Sequence, residues 1–287
     1  MIVDFHTHIF SLEQIKKRRI IALNDKNFSL IYSKKNSKMS HADDLLESMQ
    51  FAGVDMSVLM GFQWSEEFQF DIHAQYLLDQ CTKHPDKFVC FVPLSINNYS
   101  EIDSKIKDMS IAGAKGIGEI RINNTLDKKI LINNVIPQLF ESIDNYNLNI
   151  SFHTTEPVGK FYTGKDGGLT LIDLWKILNC YALPLKGNFI ASHMGAGLPL
   201  YSSLIHVRDL ILKRKIMFDT AALKFLYGNV VLEFIIKQIG PNKLLWGSDY
   251  PLISQLEDIR FISKSKIKKI DLDLILGENA VEILSLS

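Results

Sequence analysis

Two histidines one residue apart, His6 and His8, follow the apolar residues Ile2, Val3 and Phe5 in the opening run Met-Ile-Val-Asp-Phe-His-Thr-His-Ile-Phe. In a strand, residues two apart project from one face, so the two imidazoles stand side by side. Neutral imidazole is a ready ligand for a divalent ion, although such a pair alone equally suits histidines packed at a strand end. The rest of the chain offers more donors: Glu119 in Gly-Ile-Gly-Glu-Ile, His153 after Ile-Ser-Phe, His193 in Ala-Ser-His-Met-Gly and Asp249 in Trp-Gly-Ser-Asp-Tyr-Pro. Imidazole and carboxylate are the usual ligands of Zn²⁺ and similar ions, and catalytic sites leave a position open for water. An ion of this kind lowers the pKa of its water to about 7. A carboxylate beside it can take the proton and pass it to a leaving group, and a further histidine can stabilise developing negative charge.

The elements that must position these residues alternate between strand and helix patterns. After the first strand, strand-like runs fall near 54–61, 88–94, 114–122, 149–154, 188–193, 216–220 and 243–247. The apolar run at 88–94 is nearly continuous, as expected of a parallel strand covered on both faces. Helical spacing fills the intervals, over 70–83, 99–109, 135–146, 169–179, 200–212 and 230–239. Another helix is expected behind Ser40-His41-Ala42-Asp43, which reads as an N-cap with an acid three residues on, and Gly53 closes it. Eight strand–helix units without a break in composition predict a single (β/α)₈ TIM barrel spanning 1–287. Doubly wound sheets usually carry a glycine-rich phosphate turn after the first strand, where this chain has histidines. In a barrel the active residues lie at the C-terminal strand ends, and the six candidate donors fall at five of them. His41, His73, His84 and His206, the other four of the eight histidines, lie in helical or loop stretches.

Composition narrows the function classes. The 32 basic and 32 acidic side chains cancel, so no global field recruits nucleic acid or an anionic membrane. No apolar run approaches the roughly 20 residues of a membrane span, and the chain enters its first strand without a signal-like segment. Cys81, Cys90 and Cys180 are scattered, as expected of core residues in a reduced, cytoplasmic setting.

Val-Asp-Phe-His-Thr-His-Ile-Phe, Ala-Ser-His-Met-Gly-Ala-Gly, Leu-Trp-Gly-Ser-Asp-Tyr-Pro and the terminal Gly-Glu-Asn-Ala together resemble the amidohydrolase superfamily. The branch most similar is the amidohydrolase-related group that includes aminocarboxymuconate-semialdehyde decarboxylase. The resemblance implies that His6, His8, His153 and Asp249 are metal ligands, that His193 lies near the activated water, and that Asp249 doubles as proton shuttle. It further implies a divalent metal, Zn²⁺ first, with one ion or two. Attack of metal-activated water on an amide, lactam or lactone carbonyl of a small anionic substrate is the expected reaction. Non-oxidative decarboxylation on the same fold is the alternative. Pairing of barrels into a homodimer is an expectation of the resemblance alone.

Glu119 departs from the one-metal members of this branch, in which strand 4 does not usually supply a ligand. Two readings stand: a metal ligand, bridging two ions, or a carboxylate paired with Lys115, Arg121 or a neighbouring strand. A glutamate here also resembles the TatD-type nucleases, but the Trp-Gly-Ser-Asp-Tyr-Pro strand and the balanced charge do not. Arg121 and Lys160, the latter in a glycine-rich loop, are the candidates for a substrate carboxylate, and Trp64 and Tyr250 are candidate pocket walls. Asp219 is placed to orient a ligand histidine, and Asp4 is read as structural. The polar stretch 11–39, with its Lys16-Lys17-Arg18-Arg19 run, reads as a solvated helix face or as a lid over the site.

Overall fold

The computed structural model describes residues 1–97, 99–122, 130–156, 158–162, 164–165, 167–181 and 185–286. Among them, eight strands pair in parallel in sequence order: β1 (Val3–Thr7), β2 (Met56–Met60), β3 (Phe88–Val92), β4 (Gly116–Ile120), β5 (Asn149–Phe152), β6 (Phe189–Ala191), β7 (Ile216–Asp219) and β8 (Leu244–Leu245). The residues after β8 lie back along β1. Phe5 N–H donates to the Trp246 carbonyl and His8 N–H to that of Tyr250, each at 2.8 Å, and Asp249 N–H donates to that of His6 at 2.9 Å. Helices alternate with the strands, so the architecture is the (β/α)₈ barrel that the sequence pattern predicts.

Both faces of the strands are buried, in keeping with the continuous apolar run of β3. One face, with Leu59, Cys90, Ile117, Ile150, Phe189, Phe218 and Leu244, packs against helix residues such as Leu45, Leu77, Ile106, Leu139 and Ile235. The alternate residues Val3, Phe5, Val58, Met60, Phe91, Ile190, Met217 and Leu245 fill the inside of the ring, with Ala280 and Leu284 of the C-terminal helix. Most strands stop one or more residues before the expected ends. His8, His153, His193 and Asp249 therefore lie just past the ladders, and only His6 and Glu119 sit within a strand. The helix after residue 40 is capped one residue later than expected, by His41. Its backbone N–H donates to Asp44 Oδ2 at 2.8 Å, which makes Asp44 the reciprocal acid of the cap.

Residues 11–39 form a strap of three short helices, α1 (Leu12–Lys16), α2 (Arg18–Asn24) and α3 (Lys26–Tyr32), not a long loop. Ser11 and Gln14 cap α1 reciprocally. Asp25 accepts from Phe28 N–H at 2.8 Å to cap α3, and its other oxygen accepts from Ser65 and Glu66 at 2.8 and 2.9 Å, which ties the strap to the loop after β2. Ile21, Phe28 and Tyr32 turn inward onto Phe10, Phe62, Trp64 and Phe70, with Phe28 stacked on Trp64 at 5.2 Å between ring centres. The basic run divides: Lys16, Lys17 and Arg19 are exposed, with Lys17 paired to Glu13, while Arg18 turns in to donate to the carbonyls of Tyr32 and Ser37. Among the described residues, no helix is long and apolar enough to cross a membrane.

Candidate metal centre and its cavity

Each of three imidazoles is fixed from behind by an acceptor, and this determines which nitrogen is bare. His6 Nδ1 donates to Asp219 Oδ2 at 2.9 Å. His8 Nδ1 lies 3.1 Å from the Met60 carbonyl and His193 Nδ1 lies 3.1 Å from that of Ala221; a carbonyl only accepts, so both nitrogens carry hydrogen. In the neutral rings every Nε2 is then a lone pair, and these lone pairs converge. His6 Nε2 lies 3.1 Å from His8 Nε2, and His193 Nε2 lies 3.0 Å from His153 Nδ1. Glu119 Oε1 sits among them, 3.1 Å from His153, 3.2 Å from His193 and 3.9 Å from His6. Asp249 Oδ1 adds a second carboxylate, 3.6 Å from His8 and 3.9 Å from His6. Two bare imidazole nitrogens at 3.1 Å cannot hydrogen-bond each other; a cation between them removes the conflict. The donor chemistry fits a divalent ion.

The charges agree with that fit. Burial disfavours a charged His6, but Asp219, Glu119 and Asp249 outweigh it and push the ring up to about 10. Burial would likewise raise Glu119, yet His153, His6 and His193 hold it well below the ordinary carboxylate range. His8 is pushed down by burial and by His6. His153 is pushed down by burial to about 4 in spite of Glu119. Glu119, and Asp219 which His6 likewise holds low against burial, thus stay ionised and create a demand for positive charge at the cluster, which a proton on His6 or a metal ion meets.

Two donor groups can be distinguished, His6–His8–Glu119 and Glu119–His153–His193, each with its ligand atoms within 4.8 Å of one another. Glu119 belongs to both. Among its ion-pair partners are the imidazoles of His153, His193 and His6 from other strands, an arrangement compatible with a metal ligand and with a carboxylate paired inside the barrel.

Local backbone shape aims these side chains. His193 and Met194, directly after β6, have φ of 55° and 59°, and Asp249 has φ of 61°, left-handed values uncommon outside glycine. Asp219 secures the first of these turns, accepting from His193 N–H at 2.8 Å and Ala221 N–H at 3.1 Å. It therefore orients two histidines at once, the backing role expected of it. Asp4 is structural as expected, accepting from Ser248 Oγ at 2.6 Å and Gln255 Nε2 at 2.8 Å. Gly247 has to be glycine for a steric reason: a Cβ there would stand 2.6 Å from His6 Cβ.

Above the cluster lies a cavity of about 180 Å³. His8, Glu119, His153, His193 and Asp249 line one side, and Ile31, Tyr32, Phe62, Pro251 and Leu252 the other. Arg121 reaches it as expected and donates from Nη2 to the Gly164 carbonyl at 2.7 Å. The other substrate candidates do not line it. Lys160 is exposed, while its neighbour Lys165 turns inward to donate to the carbonyls of Val158 and Lys160. Trp64 is buried behind the wall, donating from Nε1 to His73 Nδ1 at 3.1 Å. Tyr250 turns away from the cavity to meet Ser40 at 2.9 Å. Tyr32, Phe62 and Lys38 take these places, and sequence reasoning missed all three. Phe62 had a usable signal in its position immediately past β2, where barrel sites gather.

The amidohydrolase family profile matches residues 3–286. Comparison with curated proteins returns no match. Among solved structures, 5-carboxyvanillate decarboxylase from Sphingomonas paucimobilis superposes with a TM-score of 0.78 at 14% identity, over 100% of this chain and 99% of that one. The same enzyme from Novosphingobium aromaticivorans, complexed with manganese and 4-hydroxy-3-methoxy-5-nitrobenzoic acid, gives 0.75 at 13%, over 100% and 96%. A probable 2-pyrone-4,6-dicarboxylic acid hydrolase from Acinetobacter baumannii gives 0.68 at 16%, over 99% of each chain.

Proposed function

Because the chain belongs to the amidohydrolase family, we propose that it is a divalent-metal enzyme that removes a carboxyl group, without oxidation, from a small aromatic or unsaturated acid. The cavity carries this reading. It measures about 180 Å³, and an apolar cavity of about 150 Å³ admits benzene, so one substituted ring fits. Its apolar side, Ile31, Tyr32, Phe62, Pro251 and Leu252, strips water from an acid held against the donors. Loss of hydration favours release of CO₂, because the carboxylate charge disperses as the bond breaks. Structures similar in fold include decarboxylases of aromatic acids, which supports the same choice.

His6, His8, His153 and Asp249 would hold the ion, with Glu119 at the corner common to both donor groups. When bound, the ion supplies positive charge that orients and polarises the acid. Arg121 offsets the substrate's charge on the cavity wall. His193, drawn toward its charged form by Glu119 and Asp249 against burial, donates from Nε2 to a substrate oxygen. The bond between the ring carbon and the carboxyl carbon breaks, its electron pair stays on the ring carbon, and CO₂ leaves. Asp249 first takes a proton from water in the cavity and then delivers it to that carbon, so the ring gains the hydrogen as CO₂ leaves with the hydroxide as bicarbonate.

A second reading, hydrolysis of an amide, lactam or lactone, uses the same donors with Asp249 as general base and then acid. Likeness in fold to the probable pyrone dicarboxylic acid hydrolase supports it. One experiment separates the two. Protein supplied with Mn²⁺ is incubated with hydroxybenzoates, benzene dicarboxylates and 2-pyrone-4,6-dicarboxylate, and CO₂ and ring absorbance are followed. Metal-dependent CO₂ release from a ring acid supports decarboxylation, whereas lactone opening without CO₂ moves the assignment to hydrolysis. Protein purified in the presence of metal and holding no divalent ion would sink both. The same metal count tests Glu119: an unchanged single ion in Glu119→Gln makes it a structural residue.

A further inference from the structure

Tyr32 ends α3 and, among the described residues, is the strap's aromatic side chain that lines the cavity. It is only 6% exposed, and its ring packs on Phe10, Phe28 and Phe62 with centres 5.1, 4.8 and 5.7 Å away. Packing explains the ring but not the hydroxyl. Beyond burial, the charges acting on that hydroxyl are Asp249, Arg121, Arg18 and Glu119, three of which belong to the cavity. Among the described residues no protein group hydrogen-bonds it. Burial raises its pKa above the ordinary tyrosine range, so at neutral pH it keeps its proton and is a donor. The hydroxyl is not among the wholly buried polar atoms left without a partner, so it is open to the cavity that Tyr32 lines, where an oxygen of a bound acid is its natural acceptor.

We propose that Tyr32 is a specificity-determining residue whose hydroxyl donates to a second acidic, oxygen-bearing group on the substrate ring, acting from the strap while Arg121 acts from the end of β4. The enzyme then selects ring acids with two such groups over those with one. This inference rests on the ring-acid reading above, and it assigns the strap the task of recognition.

Calorimetric titration of the Mn²⁺-supplied protein with isophthalate and with benzoate tests it. Wild type is expected to bind isophthalate more tightly than benzoate. Tyr32→Phe keeps the ring and should weaken isophthalate about 10- to 100-fold, the worth of a hydrogen bond to a charged group. Benzoate affinity, metal content and melting temperature should hardly move. Unchanged isophthalate affinity in Tyr32→Phe overturns the proposal while leaving the ring-acid reading intact, provided wild type binds. Equal loss for both acids together with lost metal overturns it too, since the hydroxyl then acts on the fold. If wild type binds neither acid, the ring-acid reading falls and takes this inference with it.

Discussion

The floor of the cavity and its side wall are made from different kinds of structure. On the floor, His6, His8 and His193 project from strand ends or the turns just past them, each held from behind by Asp219, Met60 or Ala221. On the wall, Tyr32 hangs from a strap of short helices that meets the barrel through an aromatic cluster and the two backbone bonds to Asp25. The floor tolerates little: it concentrates carboxylates and bare nitrogens that only a cation reconciles. The wall is a packed surface that can vary without disturbing that chemistry. Such a division lets one barrel keep its metal chemistry while a different insertion changes what it binds.

Breaking the floor should have the largest effect, and Asp219→Asn does so without emptying a volume. Asp219 accepts from three N–H groups, His6 on one oxygen and His193 and Ala221 on the other. An amide offers one acceptor oxygen and sets its NH₂ against donors at the other place. His6 is then driven to carry its hydrogen on Nε2, the nitrogen needed for metal. Metal affinity should fall roughly 10- to 100-fold, the usual cost of losing a carboxylate behind a ligand histidine. Competition against a chelator measures it, and an unchanged affinity would show that the backing bond does not set the tautomer.

Legibility in the sequence follows the same division. The floor was readable because strand periodicity and the barrel rule locate ligands at strand ends, and His6, Glu119, His153, His193 and Asp249 each follow an apolar run. Asp219 was found for the same reason. The strap looks polar in sequence because its charged residues are frequent, while the residues that decide its packing, Ile21, Phe28 and Tyr32, are spaced over two helices broken at Asp25. No single window contains their period. Trp64 and Tyr250 lie on loops near the cavity but do not line it, and side-chain direction in a loop has no period to read.

Loosening the wall should cost stability more than metal. Trp64 is buried against Phe28 and anchors the strap through His73. Trp64→Ala is expected to cost about 3–5 kcal/mol, as large aromatic deletions in a core do. It also leaves the His73 ring nitrogen without its indole donor. Denaturant unfolding reads the loss, and metal content per folded chain should stay near wild type. A loss of metal equal to that of the floor variant would mean that strap and floor are one unit, and the distinction between them would fail.

The smallest effect is expected at Lys160, where sequence and structure disagree most directly. A lysine in a glycine-rich loop near a strand end looks like an anion holder, yet Lys160 is exposed and its carbonyl accepts from Lys165. Lys165 is the buried one, its Nζ 2.6 Å from the Val158 carbonyl, and it gives the loop its shape. Lys160→Ala should therefore change stability by no more than about 0.5 kcal/mol, as at other surface positions, and leave KM where it was. Lys165→Ala removes the donor from two carbonyls and should raise KM by displacing Gly164, whose carbonyl holds Arg121. The pair is read from steady-state kinetics on whichever acid the assay identifies. A rise in KM for Lys160→Ala alone would restore that residue to the substrate site and show that the loop closes over the cavity when the acid binds.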